Sequence, residues 1–117
     1  MINEAIYERL KQAARDQTTV FYGEIAQIAG LNLAFDSDHG KLGQLLGAIS
    51  LHEHESGRPM LSALVVNKDT GYPSASFFEF ARKLGKYNGH SEMEMLTYYA
   101  RELQAVFDCW AGTREQR

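Results

Sequence analysis

The sequence lacks an excess of basic residues, a long apolar run and more than one cysteine. Each absence argues against a class of protein. Its 12 lysines and arginines are outnumbered by 15 aspartates and glutamates, so the formal net charge is -3. Nucleic-acid-binding domains usually carry a basic balance or a basic stripe, and this balance argues against one. No apolar run approaches the length of a membrane span, and no secretory signal is visible at the N-terminus. A single cysteine, Cys109, excludes an internal disulfide framework, so we expect a cytoplasmic protein.

What the sequence does contain is a series of amphipathic segments with helical periodicity. Its length of 117 residues and hydrophobic content of 44% predict one domain over residues 1–111, followed by a frayed tail over residues 112–117. The spacing of apolar residues predicts a first helix ending near Asp16 and a short second helix from Glu24 to Ala29. A loop over residues 31–38 and a third, longer helix follow.

The C-terminal half begins with a predicted strand over Met60–Val66 and a turn over Asn67–Gly71. Ser74 or Ser76 is predicted to cap a fourth helix, and a capping box over Ser91–Glu94 is predicted to open the last one. Three helices followed by a strand, a turn and a strand predict a winged-helix-like core with two appended helices. The expected fold class is therefore mainly α with a small β-hairpin.

Three motifs between Tyr22 and Val66 resemble a known protein family when taken in order. They are Tyr22–Gly30 (Tyr-Gly-Glu-Ile-Ala-Gln-Ile-Ala-Gly), Leu42–Leu46 (Leu-Gly-Gln-Leu-Leu) and the segment ending in Val65–Val66. Together they resemble the DNA-binding half of DNA alkyltransferases and alkyltransferase-like proteins, over about residues 18–71. The resemblance implies that Tyr22 lies near a DNA phosphate and that Gly43 is a packing point. The chain from Leu61 to Gly85 is also similar to parts of small bacterial proteins with no assigned activity.

The reactive motif of that family is missing. Its Pro-Cys-His-Arg positions are occupied here by Leu61, Ser62, Ala63 and Leu64. A serine hydroxyl needs a neighbouring base, whereas a cysteine thiolate is reactive by itself, and Ala63 stands where the histidine would be. Gly40 replaces the arginine that holds open a flipped base, and Phe21 replaces the Thr or Ser before the tyrosine. We therefore predict a non-catalytic protein.

The histidines near the end of the third helix have the wrong spacing for a metal site. His52 and His54 are two residues apart and point in different directions on a helix, whereas a metalloprotease helix needs histidines four residues apart. We interpret this segment as a solvated helix end. No metal or other cofactor is predicted, and a small-molecule ligand is not favoured.

The predicted function is binding to another macromolecule, most plausibly a protein. One concrete form is a bacterial immunity or antitoxin protein that neutralises a nuclease toxin, because an acidic inhibitor complements a basic nucleic-acid-binding cleft. The predicted contact residues are four acids and one aromatic residue outside the main apolar stripes: Asp36, Asp38, Glu53, Glu55 and Phe78.

The alternative is a winged-helix DNA-binding protein related to alkyltransferase-like proteins but without alkyl transfer. Its phosphate- and base-contacting side chains would be Tyr22, Lys41, Gln44, Arg58 and Lys68. Salt separates the two hypotheses, because binding to DNA phosphates weakens steeply as the salt concentration rises.

Overall fold

The computed structural model describes residues 2–111, which form five α-helices, a 3-10 turn and a two-stranded sheet. This confirms a mainly α fold with a small β element, and the predicted tail over residues 112–117 lies outside the described residues. The elements in chain order are α1 (Glu4–Asp16), β1 (Val20–Phe21), α2 (Tyr22–Ile28), α3 (Asp36–Glu55), a 3-10 turn (Leu61–Leu64), β2 (Val65–Val66), α4 (Ala75–Lys83) and α5 (Glu92–Ala111).

Local capping chemistry sets several helix ends. The Asn3 side chain accepts a hydrogen bond from the Ile6 amide and so caps α1. The predicted capping box before α5 is confirmed, because the Ser91 hydroxyl accepts from the Glu94 amide while the Glu94 carboxylate accepts from the Ser91 amide. α3 begins at Asp36, inside the segment that we predicted to be a loop.

The predicted strand over Met60–Val66 is wrong for most of its length. Leu61–Leu64 forms a 3-10 turn, in which the Ala63 amide donates to the Met60 carbonyl at 3.1 Å, and only Val65–Val66 is extended. All six residues from Leu61 to Val66 are buried, so an apolar run of this kind does not distinguish a strand from a buried turn. The β-branched residues, which favour extended backbone, are confined to the last two positions.

The predicted β-hairpin is also wrong, because the pairing found in residues 2–111 is parallel. Val20 of β1 faces Val65 of β2, and Phe21 faces Val66. The predicted turn does form, since the Gly71 amide donates to the Asn67 carbonyl at 2.8 Å. The chain after it runs through Pro73 into α4, and proline cannot donate a ladder hydrogen bond.

The 3-10 turn lies at the centre of the molecule. It packs against α1, α3 and α5, and its apolar side chains Leu61 and Leu64 are fully buried. α3 therefore has one side on the central core and another side facing α4. None of the helices within residues 2–111 is long and apolar enough to cross a membrane.

Candidate binding groove

An open groove with a volume of about 790 Å³ lies between α3 and α4. This volume is typical of ligand-binding clefts, which are mostly apolar with a few polar groups. Its apolar lining comes from the loop before α3, from α3 itself and from α4: Leu33, Leu42, Leu46, Leu51, Phe77 and Phe80. Leu51 remains 40% exposed at the groove, which is high for a large apolar side chain on a well-packed helix.

Three glycines of α3 line the same groove. Gly40, Gly43 and Gly47 are three and four residues apart, so they follow one face of the helix. A Cβ atom built on Gly40 or Gly43 would meet no heavy atom within 4 Å, and one on Gly47 would meet the Phe80 ring at 3.7 Å. A glycine inside a helix costs about 1 kcal/mol relative to alanine. Packing within the described residues therefore does not explain why positions 40 and 43 are glycine. The close packing at Gly43 that the resemblance implied is not seen.

A cluster of hydroxyl groups lines the groove where α2 meets the start of α4. The Tyr22 hydroxyl accepts from the Ser74 amide at 3.0 Å and lies 3.2 Å from the Ser74 hydroxyl, which is 2.8 Å from that of Ser76. Ser74 is the residue preceding α4, as predicted, but its side chain bonds these neighbours and caps no helix amide. The cluster consists of neutral donors and acceptors.

Ser62, which stands where the resembling family has its reactive cysteine, lies deep in the groove with little exposure. Its hydroxyl is 2.6 Å from the Ser50 hydroxyl, which also accepts from the Ser62 amide at 3.3 Å. The ring of His39, which also lines the groove, has Nε2 2.6 Å from the Leu33 carbonyl, to which its N–H donates. The contacts of Ser62 are therefore those of a buried structural hydroxyl, which normally bonds to its neighbours.

Two of the five predicted protein-contact residues are not available at the surface. Glu53 has no exposed surface and Phe78 is 7% exposed, so the prediction that both contact a partner is wrong. Phe78 is enclosed by other aromatic rings, with centroid distances of 5.0 Å to Phe77, 6.0 Å to Tyr87 and 6.4 Å to Tyr99. Edge-to-face contacts of this kind stabilise a core.

Glu53 instead holds a buried polar network at the end of α3. Its carboxylate accepts from the Tyr7 hydroxyl at 2.7 Å and from Nε and Nη2 of Arg58 at 2.8 and 2.9 Å. Burial, followed by the hydrogen bond to Glu53, raises the pKa of Tyr7 to about 12. The hydrogen bond to Glu53 also raises the pKa of Arg58. This is the arrangement that a buried carboxylate requires, because an unpaired one is costly.

The remaining predicted acids do not form one acidic patch. Asp38 is largely covered, since its carboxylate accepts from the Asn32 amide at 2.8 Å and lies 3.8 Å from Lys41 Nζ. Asp36 and Glu55 are exposed but occupy opposite ends of α3, about 28 Å apart at the helical rise per residue. A partner attracted by clustered negative charge would find none along this helix.

The residues predicted to contact DNA are divided between the groove and other surfaces. Tyr22 and Gln44 line the groove, and Lys41 and Lys68 are exposed outside its lining. Arg58 is committed to Glu53, and its guanidinium carbon lies 5.7 Å from the centre of the Trp110 ring. Arg58 is therefore a structural residue and is removed from the predicted phosphate contacts.

The groove brings together two positions that carry the sequence resemblance, Tyr22 and Gly43, and two at which this sequence departs from the family, Gly40 and Ser62. Tyr22, Gly40, Gly43 and Ser62 come from three separate segments of the chain and all line it. Sequence reasoning treated Gly40 only as a lost arginine and did not recognise the apolar walls of the groove. The signal that could have revealed it is the spacing of Gly40, Gly43, Gly47 and Leu51, which follows one face of a helix. Among residues 2–111, no three His, Cys, Asp or Glu side chains are grouped so as to hold a metal ion.

A scan of protein-family models found no match, and searches of curated proteins and of solved structures found none either.

Proposed function

We propose that this is a non-catalytic binding protein whose groove between α3 and α4 receives a segment of a protein partner. The observation that carries the proposal is the open apolar groove in which a Cβ atom added at Gly40 or Gly43 would meet no heavy atom of the described residues within 4 Å. Exposed concave apolar surface of this extent is a recurring mark of an interaction site. Gly40 and Gly43 lower the helix propensity of α3 without relieving any close contact in the fold. Glycine at these positions is consistent with a surface that a partner approaches closely.

An immunity or antitoxin protein remains one form of this proposal, with a changed mode of binding. The acids predicted to attract a basic toxin are buried, covered or far apart, so the groove replaces them as the proposed contact surface. Apolar packing in a groove resists salt much better than attraction between exposed charges does. Binding is therefore expected to persist at high salt.

A second candidate is DNA binding without alkyl transfer. It is favoured by the convergence of Tyr22, Gly40, Gly43 and Ser62 on one groove, together with the exposed Lys41 and Lys68. The small number of lysine and arginine side chains near the groove counts against DNA binding. Phosphate contacts from such side chains provide most of the affinity of DNA-binding proteins for DNA.

The experiment is an affinity capture from lysate of the native host, divided into nuclease-treated and untreated halves. Three baits are compared: the wild-type chain, Gly43→Leu, and His54→Leu as a control. Gly43→Leu fills the groove at a position with open space, and His54→Leu adds the same side chain to an exposed position of α3 outside the groove.

The proposal expects a stoichiometric protein that survives nuclease treatment, is captured by wild type and His54→Leu, and is lost from Gly43→Leu. Nucleic acid retained by the wild type, with proteins lost on nuclease treatment, would instead support the DNA-binding candidate. A protein captured equally by all three baits would contradict the groove as the binding surface.

A further inference from the structure

The linker between α4 and α5 contains an asparagine followed by a glycine, at positions 88 and 89. Asn88 is exposed and lies outside any helix or strand, and its side chain forms no hydrogen bond within residues 2–111. The other three asparagine side chains of the chain, those of Asn3, Asn32 and Asn67, are each hydrogen-bonded to the backbone. None of the three precedes a glycine. Asn88 therefore differs from them in both its neighbour and its freedom.

Packing explains why position 89 is glycine. A Cβ atom there would stand 2.7 Å from Cε1 of Tyr87 and 2.8 Å from Cβ of Glu94, so a larger residue does not fit. The Gly89 carbonyl accepts from Nη2 of Arg82 at 2.8 Å, whereas the Gly89 amide donates to no acceptor in the described part of the chain. The fold therefore requires the glycine and leaves its nitrogen unbonded beside the side chain of Asn88.

An unbonded amide nitrogen next to an asparagine side chain permits an intramolecular reaction. The Gly89 nitrogen attacks Cγ of Asn88, a C–N bond forms, the bond from Cγ to the side-chain nitrogen breaks, and ammonia leaves with the amide proton. Water then opens the five-membered imide at either carbonyl and gives aspartate or isoaspartate. Because glycine has no Cβ, nothing on position 89 hinders the approach. We propose that Asn88 is a site of spontaneous deamidation in this protein.

The isoaspartate product would disturb the junction between α4 and α5. It carries the main chain through the former side chain and so inserts an extra atom between positions 88 and 89. Gly89 has no room to absorb this atom, because it is enclosed by Tyr87 and Glu94 and its carbonyl is bonded by Arg82. The aspartate product keeps the normal backbone length. We therefore expect the isoaspartate form to be less stable than Asn88→Asp, which has the same charge.

The test follows the folded, full-length chain during a long incubation in water enriched in heavy oxygen, at several pH values from neutral to mildly alkaline. Peptide mapping by mass spectrometry measures conversion at each asparagine and separates aspartate from isoaspartate. Asn88→Gln is the matched control, because its longer side chain would have to close a less favourable six-membered ring. A free peptide covering residues 84–94 shows how fast the same sequence reacts without the fold.

The proposal expects Asn88 to be converted about tenfold or more faster than Asn3, Asn32 or Asn67, because only Asn88 is followed by a residue without a Cβ. The products should contain heavy oxygen, and the rate should rise with pH because the attacking nitrogen must lose its proton. Asn88→Gln should stay unmodified.

Two results of the incubation would overturn the proposal. One is an intact Asn88 in the folded chain under conditions that convert the free peptide, and the other is equal conversion at all four asparagines. Urea denaturation of the separated isoaspartate form tests the consequence. A midpoint below that of Asn88→Asp supports the tight packing of Gly89, and an equal midpoint contradicts it.

Discussion

The two faces of α3 differ in how closely they are packed. The face toward α1 and the 3-10 turn holds Glu53, whose buried carboxylate is bonded by Tyr7 and Arg58. The face toward α4 holds Gly40 and Gly43, where even an added methyl group would meet nothing within 4 Å. One helix thus carries a buried polar network on one face and an open surface on another. The comparison suggests that the first face specifies the fold and that the second is reserved for binding.

The constrained side continues across the core to α5. The Glu102 carboxylate accepts from the Met60 amide and from Lys86 Nζ, both at 2.8 Å, and the Tyr99 hydroxyl donates to the Ala63 carbonyl at 3.0 Å. These contacts fix the segment that ends in the 3-10 turn, which places Ser62 in the groove. A rigid support of this kind would lower the entropic cost of the binding proposed for the groove, because the surface is already formed in the free protein.

The largest expected effect is on the constrained face. Glu53→Ala should lower the free energy of unfolding by about 3 kcal/mol or more, because it leaves the buried Tyr7 hydroxyl and the partly buried Arg58 guanidinium without their acceptor. The control is Glu55→Ala, an exposed acid on the same helix, which should change stability by less than about 0.5 kcal/mol. Urea denaturation monitored by circular dichroism measures both. Equal effects of the two substitutions would contradict the structural role given to Glu53.

A glycine on the crowded side of the molecule should respond in the opposite way to those in the groove. A Cβ atom on Gly89 would stand 2.7 Å from Cε1 of Tyr87 and 2.8 Å from Cβ of Glu94. Gly89→Ala should therefore destabilise the fold by about 1–3 kcal/mol through overpacking. Thermal unfolding at neutral pH measures the loss. An unchanged melting temperature would contradict the overpacking argument and show that the loop around Gly89 can shift to accommodate a methyl group.

Alkaline pH should lower the free energy of unfolding through the buried tyrosines Tyr7 and Tyr99. Burial raises the pKa of Tyr7 and of Tyr99 to about 12, from an ordinary value of about 10. Because the folded state holds these protons more tightly, their contribution to stability is complete below pH 10 and is lost as the pH rises from about 10 to about 12. Urea denaturation at a series of pH values should show this fall. Tyr99→Phe should make it shallower, and an unchanged slope in that variant would contradict the burial argument.

The smallest expected effect is a gain in stability on the open face. Gly43→Ala should raise the free energy of unfolding by about 1 kcal/mol, because alanine favours the helix and its methyl group meets no neighbour. Gly40→Ala should behave in the same way. A loss of stability in either variant would reveal a packing constraint at that glycine and would weaken the contrast between the two faces.

The helices could be predicted from the sequence because their signals are local. Apolar spacing and caps such as the box formed by Ser91 and Glu94 act within a few residues of each other. The parallel pairing of Val20 with Val65 could not be predicted, because it depends on which distant segments meet. The 3-10 turn over Leu61–Leu64 was missed for a related reason, since its apolar residues are buried by three separate helices.

The candidate site was only partly predictable. The sequence resemblance singled out Tyr22, Gly43 and Ser62, which the fold brings to one groove. The acidic residues were misjudged because charge alone does not indicate burial: Glu53 follows the polar pattern of a helix end yet finds its partners in Tyr7 and Arg58. Those contacts join residues far apart in the chain, so no local pattern predicts them.

The most direct test of the central claim is photo-crosslinking in the native host. A photoreactive amino acid is introduced at Gln44, which lines the groove, or at Glu55, which is exposed at the far end of the same helix. After nuclease treatment, the account predicts a covalent adduct with one protein from the Gln44 position and none from Glu55. An adduct from Glu55 alone, or crosslinks from Gln44 to nucleic acid only, would contradict a protein-binding groove.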